Sequence, residues 1–232
     1  MEETELYIKE TIEHIAHQWR QPLSQINSTV GVIDKILYEK NIEEPLIEEK
    51  LKEIEALTKY MSQTIDTFSN NFIHGVQKES IKLSLIVGEA LLSVSSSFKE
   101  NNITLKTDIN VDYEYKCAKE QIKEIIIILL NNAKDALLDR NTFNAEIDVS
   151  IRYENSKYLI KVADNAGGIT KSVMKKIFEP YYTTKHHSKG TGIGLYMARK
   201  IIEERHCGSL DVQNMNRGTE FLISLSEEQD CE

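Results

Sequence analysis

The stretch Ile12 to Ile26, IEHIAHQWRQPLSQI, sets the reading of the first third of the chain. Apolar residues recur at Ile8, Ile12, Ile15, Trp19, Leu23, Ile26, Val30, Ile33 and Leu37. Steps of three and four make one stripe of a long amphipathic helix with a heptad-like seam. At about 100° per residue, His17 falls roughly opposite the mean direction of that stripe and His14 also lies outside it. An imidazole facing water on a rigid helix is usually just a solvated side chain. Pro22 argues for more. It removes a backbone hydrogen bond near Gln18 and clashes with the preceding turn, at about 3 kcal/mol, so local geometry beside His17 is worth a cost there.

The helix predicted from Thr4 to Tyr38 ends in a polar connection, Glu39 to Pro45, with the proline placed at a helix start. A second stripe follows at Ile47, Leu51, Ile54, Met61, Ile65, Phe68 and Phe72, with Thr58 in its one polar slot. Two long helices joined by a short loop predict an antiparallel hairpin. Neither can cover its whole apolar face against the other, so the expectation is a homodimer that closes a four-helix bundle. Residues 1–75 are assigned to this unit and 76–80 to a linker.

The 232 residues are 41% hydrophobic and 28% charged, enough apolar material for a true core. A net charge of −9 argues against a general nucleic-acid or anionic-membrane surface. A polyanionic ligand would need basic groups gathered locally. Cys117, Cys207 and Cys231 are scattered, without a CxxC pair, and are expected to be free thiols in a reducing compartment. No apolar run approaches eighteen residues and the acidic start is no signal peptide. The expectation is a cytoplasmic chain.

Residues 81–232 mix helical and strand periods. Helices are predicted at Leu85 to Glu100, with Ser84 as N-cap, at Ala118 to Leu138, at Thr170 to Phe178 and at Gly192 to Arg205. Strands are predicted at Ile103 to Ile109, Tyr113 to Lys116, Glu146 to Tyr153, Tyr158 to Ala163, Ser209 to Val212 and Glu220 to Ser226. The fold class is α+β: the helical hairpin, then an α/β sandwich with helices on one face of a mixed sheet.

Four segments of the second domain carry chemistry. In LLNNAKDAL, Leu129 to Leu137, Asn131, Asn132 and Asp135 interrupt an otherwise apolar helix; such oxygen groups suit a hydrated Mg²⁺ shared with phosphates, though a polar helix end looks similar. In ADNAGGIT, Ala163 to Thr170, glycines let the backbone approach a flat ligand while Asp164 offers a carboxylate to an exocyclic amine; a plain tight turn is the rival. In IFEPYYTTKHHSKGTGIGL, Ile177 to Leu195, lysines and histidines crowd a glycine-bearing loop leading into a helix, which is an anion site. His186 and His187 lack a third ligand at metal spacing. GTGIG is not GxGxxG after a strand, and no P-loop is present. Gly218-Thr219-Glu220 turns into the last strand.

Taken in order, these segments resemble the boxes of a two-component sensor histidine kinase. LLNNAKDAL is similar to the asparagine box, ADNAGGI to the first glycine box, IFEPYYTT to the phenylalanine box and GTGIGL to the second glycine box. IAHQWRQPL resembles the phosphoacceptor box. The resemblance covers about residues 5–226 and implies an ATP- and Mg²⁺-dependent protein kinase. It implies His17 as phosphoacceptor, with Gln18 and Gln21 beside it, and Asn132 as the Mg²⁺ ligand near Asn131 and Asp135. It further implies Asp164 on the adenine amine, Gly168 against the base and Thr219 in support. Phe178 and the loop to Gly190 would form a lid, with Lys185, Lys189, Gly192, Gly194 and Leu195 completing the nucleotide set. The implied partners are a response regulator receiver domain and a second copy of the chain. Any membrane link would come through a sensor region absent from this chain.

Three departures bear on mechanism. Gln18 stands where the family commonly has an acid, and it cannot take a proton. Ala166 replaces a glycine. Ile128 replaces the asparagine of the kinases or the glutamate of the hydrolysing relatives. Without a base at Ile128, water is poorly activated, whereas a neutral imidazole is already nucleophilic. A glutamine at position 21, one turn after His17, can orient water against a partner's phosphoryl group or be a surface residue. Rival functions are a gyrase-like ATPase and a non-catalytic dimeric nucleotide-binding scaffold.

Overall fold

The computed structural model describes residues 2–40, 42–73, 78–109, 113–185 and 192–226, with side chains except at 2–18, 56, 59–60 and 63–73. The chain divides into two compact units, Met1–Gly75 with Thr183–Ile193, and Val76–Tyr182 with Gly194–Glu232.

The first unit holds helices α1 (Glu2–Glu39) and α2 (Pro45–Ile73), packed on each other as the two stripes require. Helix α1 continues through Pro22. Leu23, Val30 and Leu51 are buried, and the polar slot is satisfied: the Thr58 hydroxyl donates to Asn27 Oδ1 as well as to the carbonyl of Ile54 at 3.0 Å. Much of both stripes nevertheless stays in solvent. Trp19 (55% exposed), Ile26, Ile33, Ile47, Ile54 and Met61 are uncovered within one chain.

The second unit runs β1 (Glu79–Lys82), α3 (Leu83–Glu100), β2 (Thr104–Asp108), β3 (Glu114–Cys117), α4 (Lys119–Asp139), β4 (Glu146–Glu154), β5 (Lys157–Asp164), α5 (Lys171–Lys176), α6 (Gly194–Arg205), β6 (Ser209–Asn214) and β7 (Thr219–Ser226). Five strands form one mixed sheet in the order β2-β4-β5-β7-β6; β2 runs parallel to β4 and every other neighbour pair is antiparallel. The expected α+β class with a mixed sheet is what forms. Alternate residues Ile147, Val149, Ile151, Ile160, Val162, Ile223 and Leu225 point into one core, and α4 meets them with Ile122, Ile125, Ile126, Leu129, Leu130, Ala133 and Leu137. The β4–β5 hairpin turns on Asn155 and Ser156, both at positive φ, as the favoured two-residue turn demands.

Several local expectations shift. Glu79 and Ser80, read as linker, open β1, which pairs with β3. Helix α3 begins at Leu83, and its cap position is Lys82, not Ser84. Helix α6 begins at Gly194 because Gly192 adopts a left-handed φ of 67° that no helix continues. The free-thiol reading holds for Cys117, whose buried thiol is pushed up to about 12. It fails at Cys207, which is disulfide-bonded; Cys231 lies outside the described residues. No helix among the described residues is long and apolar enough to cross a membrane.

Candidate nucleotide-binding site

Strand β5 delivers Asp164 to the edge of the core, where the side chain is only 9% exposed. One carboxylate oxygen, Oδ1, accepts from the backbone amides of Ala166 at 2.8 Å and Thr219 at 3.3 Å. No protein donor meets Oδ2 among the described residues. Burial pushes the Asp164 carboxyl up from the usual range, against the opposing pull of the two amides and of the Arg140 guanidinium. Asp164 is therefore a desolvated acceptor with one oxygen spoken for and one spare.

The turn after it is built from Gly167 and Gly168, at φ of 90° and 81°. Side chains rarely adopt that region, which is why glycine stands at both. Gly218 has a different reason to be glycine: a Cβ there would overlap the carbonyl of Asp164, so the β6–β7 turn lies directly on the acid. Thr219, buried beside it, supplies the second amide.

Four further residues hold the turn. The Gly167 amide donates to the Arg217 carbonyl at 2.7 Å. The Asn214 carboxamide accepts from the Ile169 amide at 2.8 Å and donates to the Ile169 carbonyl at 2.7 Å, as a neighbouring strand would. Arg140, capping the C-terminus of α4, donates to the carbonyls of Ala166 and, at 2.6 Å, Gly168. Asn165 binds the other side, donating to the Asn144 carbonyl at 2.8 Å and accepting from the Glu146 amide at 2.9 Å. Arg140, Asn165 and Asn214 are not visible from sequence spacing: each reads as an ordinary solvated helix end or turn residue.

Helix α4 carries Asn131, Asn132 and Asp135, all partly buried at the edge of its apolar face. These are oxygen-bearing side chains of the kind that share a hydrated divalent cation with phosphates. One turn before Asn132, Ile128 lies under the start of α6: its Cγ2 would be 3.4 Å from a Cβ on Gly194. The backbone amides that open α6 thus start beside the amide-bearing part of α4, with Leu195 packed against the core. Phe178 is anchored by an edge-on contact with Phe221, 6.5 Å between centroids, and by the Arg199 guanidinium 4.9 Å above its ring. The Lys185 amide donates to Thr183 Oγ1 at 3.1 Å. Lys189 and Gly190, like His186 and His187, lie outside the described residues. His17, Gln18 and Gln21 are on α1; Gln21 is exposed, and the side chains of His17 and Gln18 are outside the described set.

Residues 117–229 match the model of the histidine kinase-, DNA gyrase B- and HSP90-like ATPases. This part of the chain is similar to that family. The likeness to sensor kinases extends beyond the ATPase domain. AtoS, a signal transduction histidine-protein kinase of Escherichia coli, is 27% identical over 218 residues, 93% of this chain and 34% of AtoS. Sporulation kinase A of Bacillus subtilis is 28% identical over 213 residues, 91% of this chain and 33% of that kinase. The chain spans about a third of the length of these curated relatives. The fold matches that of the histidine kinase ThkA in its complex with the response regulator TrrA, with a TM-score of 0.62 and 20% identity over 96% of this chain and 63% of that one.

Proposed function

We propose that the chain is the catalytic core of an ATP-dependent protein histidine kinase that phosphorylates its own His17 and passes the phosphoryl group to an aspartate of a response regulator receiver domain. The observation that carries this is Asp164: a desolvated carboxylate with Oδ2 unclaimed by protein, above a double-glycine turn, in an ATPase-family domain continuous with a hairpin bearing an HQWRQP sequence. An oxygen acceptor beside a backbone stripped of side chains suits the amine edge and flat face of adenine.

In this reading Asn132, with Asn131 and Asp135 near it, would hold Mg²⁺, which would supply neutralisation of phosphate charge. Lys185, Lys189 and the amides of Gly192 and Gly194 meet the phosphates, while Phe178, held by Phe221 and Arg199, forms the lid with the loop to Gly190. Thr219 steadies Asp164, and Leu195 packs the base of α6. The His17 ring nitrogen forms a bond to the γ-phosphorus as the bond to the β,γ-bridging oxygen breaks; ADP leaves and the ring releases its proton. Gln18 can orient the imidazole by hydrogen bonding without accepting that proton. Ile128 supplies no base for water, which favours transfer to imidazole over hydrolysis. Gln21, exposed one turn after His17, orients water for dephosphorylating the receiver domain in this reading.

The chain acts as a homodimer. A groove of about 410 Å³ lined by Trp19, Pro22, Leu23, Ile26 and Met61 continues the uncovered stripes, and a second hairpin making a four-helix bundle is the occupant that buries them. ThkA in complex with its regulator supports a receiver domain as partner, and the net charge of −9 gives no footing for nucleic acid. A cytoplasmic location fits the use of ATP; the disulfide at Cys207 pulls the other way.

Incubation with [γ-³²P]ATP and Mg²⁺ is the test. Label held in an acid-labile, alkali-stable bond, and lost in His17→Ala while ATP affinity is kept, is expected. Release of free phosphate without labelled protein would instead make the chain a hydrolase, and nucleotide binding without either would make it a scaffold.

A further inference from the structure

Resting on the reading of Asp164 as the adenine acceptor, we propose that Arg140, together with Asn214, is the positioning clamp that gives the site its preference for adenine. The turn Ala166-Gly167-Gly168-Ile169 must satisfy two conflicting demands. Its glycines let the backbone come close to a flat base, but two adjacent residues without side chains also have the widest conformational freedom in the chain. Something outside the turn must remove that freedom. The main chain contributes one bond, from the Gly167 amide to the Arg217 carbonyl. Side chains contribute the rest. Arg140 grips the two carbonyls that flank Gly167, using one guanidinium nitrogen for each, and Asn214 pairs both polar groups of Ile169.

The fork of Arg140 is matched to this task. A rigid planar donor that binds the carbonyls on both sides of Gly167 restrains the left-handed φ held between them. With those carbonyls drawn onto α4, the Gly168 backbone keeps its approach to the base and the Ala166 amide keeps its bond to Asp164 Oδ1, so that Oδ2 stays aimed outward. The same guanidinium draws the buried carboxyl toward its charged, accepting form. Arg140 also belongs to the helix that carries Asn132, two turns earlier, so one rigid element positions the base-reading turn and the amide side chains. Asn214 closes the other end of the turn: its Oδ1 would be 2.9 Å from a Cβ on Gly168. Neither residue touches the nucleotide in this scheme; both act through the backbone.

The experiment measures ATP and ITP binding and turnover in full chains of wild type, Arg140→Ala, Arg140→Lys and Asn214→Asp. ITP differs from ATP in having an oxygen in place of the amine that Asp164 reads. Arg140→Ala is expected to weaken ATP binding about tenfold and to shrink the ATP-over-ITP ratio by a similar factor, since ITP has little of this recognition to lose. The kcat at saturating ATP should stay within about twofold, because phosphate alignment is left intact. Arg140→Lys keeps the charge without the fork and should recover less than half of the lost ratio; Asn214→Asp, which loses the donor to Ile169, should move the ratio in the same direction. An unchanged ATP-over-ITP ratio in both Arg140 variants overturns the clamp and leaves the proposed function standing. Equal loss of ATP and ITP with a lowered melting temperature also overturns it, because the arginine would then only support the fold. A wild type that does not distinguish ATP from ITP overturns the assignment of Asp164 itself, and the clamp with it.

Discussion

Replacing Asp164 by asparagine separates binding from folding at one atom. Asparagine has the same outline, and its carbonyl oxygen can keep both bonds now made by Oδ1, from Ala166 at 2.8 Å and Thr219 at 3.3 Å. The change falls on the other position, where an NH₂ replaces Oδ2 and presents donors to the donors of the adenine amine. A hydrogen bond to a charged acceptor is worth about 1.5–3 kcal/mol, and leaving a desolvated donor unpaired adds about 1–3 more. A loss of about 3 kcal/mol weakens ATP binding by a factor above about 100. Stability should go the other way. Burial raises the folded pKa of Asp164 above its unfolded value, so the native state binds the proton more tightly and stability from this group falls as pH rises through that raised range. At pH 7 the ionised carboxylate is thus a cost to the fold, and a neutral isostere removes it. Isothermal titration with ATP and a melting curve without nucleotide read the two effects: an undetectable or hundredfold weaker affinity with a melting temperature equal to or above wild type. An affinity within threefold of wild type, or a melting temperature several degrees lower, would refute the account of this carboxylate.

Leu130→Ala empties a fully buried site on the core face of α4 and should destabilise the second unit by about 2–5 kcal/mol, read by urea unfolding. Ile26→Lys places a charge in the groove beside Trp19 and should shift the chain from dimer toward monomer in sedimentation equilibrium; an unchanged dimer would put the interface elsewhere. His206, 1% exposed, has Nε2 3.2 Å from Gln121 Oε1 and no partner for Nδ1 among the described residues, and burial lowers its pKa to about 4. Its folded pKa lies below its unfolded one, so stability is complete above about pH 6.5 and is lost as pH falls toward 4, by about 3 kcal/mol. Urea unfolding of wild type and His206→Leu between pH 7 and 4 should show that acid loss in the wild type and a flatter profile in the variant.

The sequence shows what repeats at short range. The stripes of α1 and α2, the alternation of β4 and β5 and the unbroken apolar face of α4 each recur within about two turns or a few strand residues, so period alone reveals them. The glycine turn was legible because only glycine takes the φ that Gly167 and Gly168 have. Elements that lean on a distant partner were not. Strand β1 has one intermediate and three exposed positions and exists because β3 pairs with it, 32 or more residues away. The start of α6 two residues late follows from one left-handed φ at Gly192 that no composition rule places there. The cysteine reading failed at Cys207 for a related reason, since scattered spacing says nothing about which thiols a fold brings together.

The same limit explains why Asp164 stands out in the sequence and the residues that hold its turn do not. Asp164 announces itself because a carboxylate ending an apolar strand conflicts with its surroundings. Arg140 conflicts with nothing: a cation at the C-terminus of α4 is what the helix dipole favours, whether or not its side chain reaches further. Its bonds to Ala166 and Gly168 span 26 and 28 residues and are made to carbonyls that every residue possesses, so no residue type marks the receiving end. Main-chain acceptors are chosen by where the fold puts them. Residues that position a site through the backbone should therefore be the part of any active site least visible in a single sequence, and a search for them should begin from the carbonyls and amides of the glycine turn and work outward.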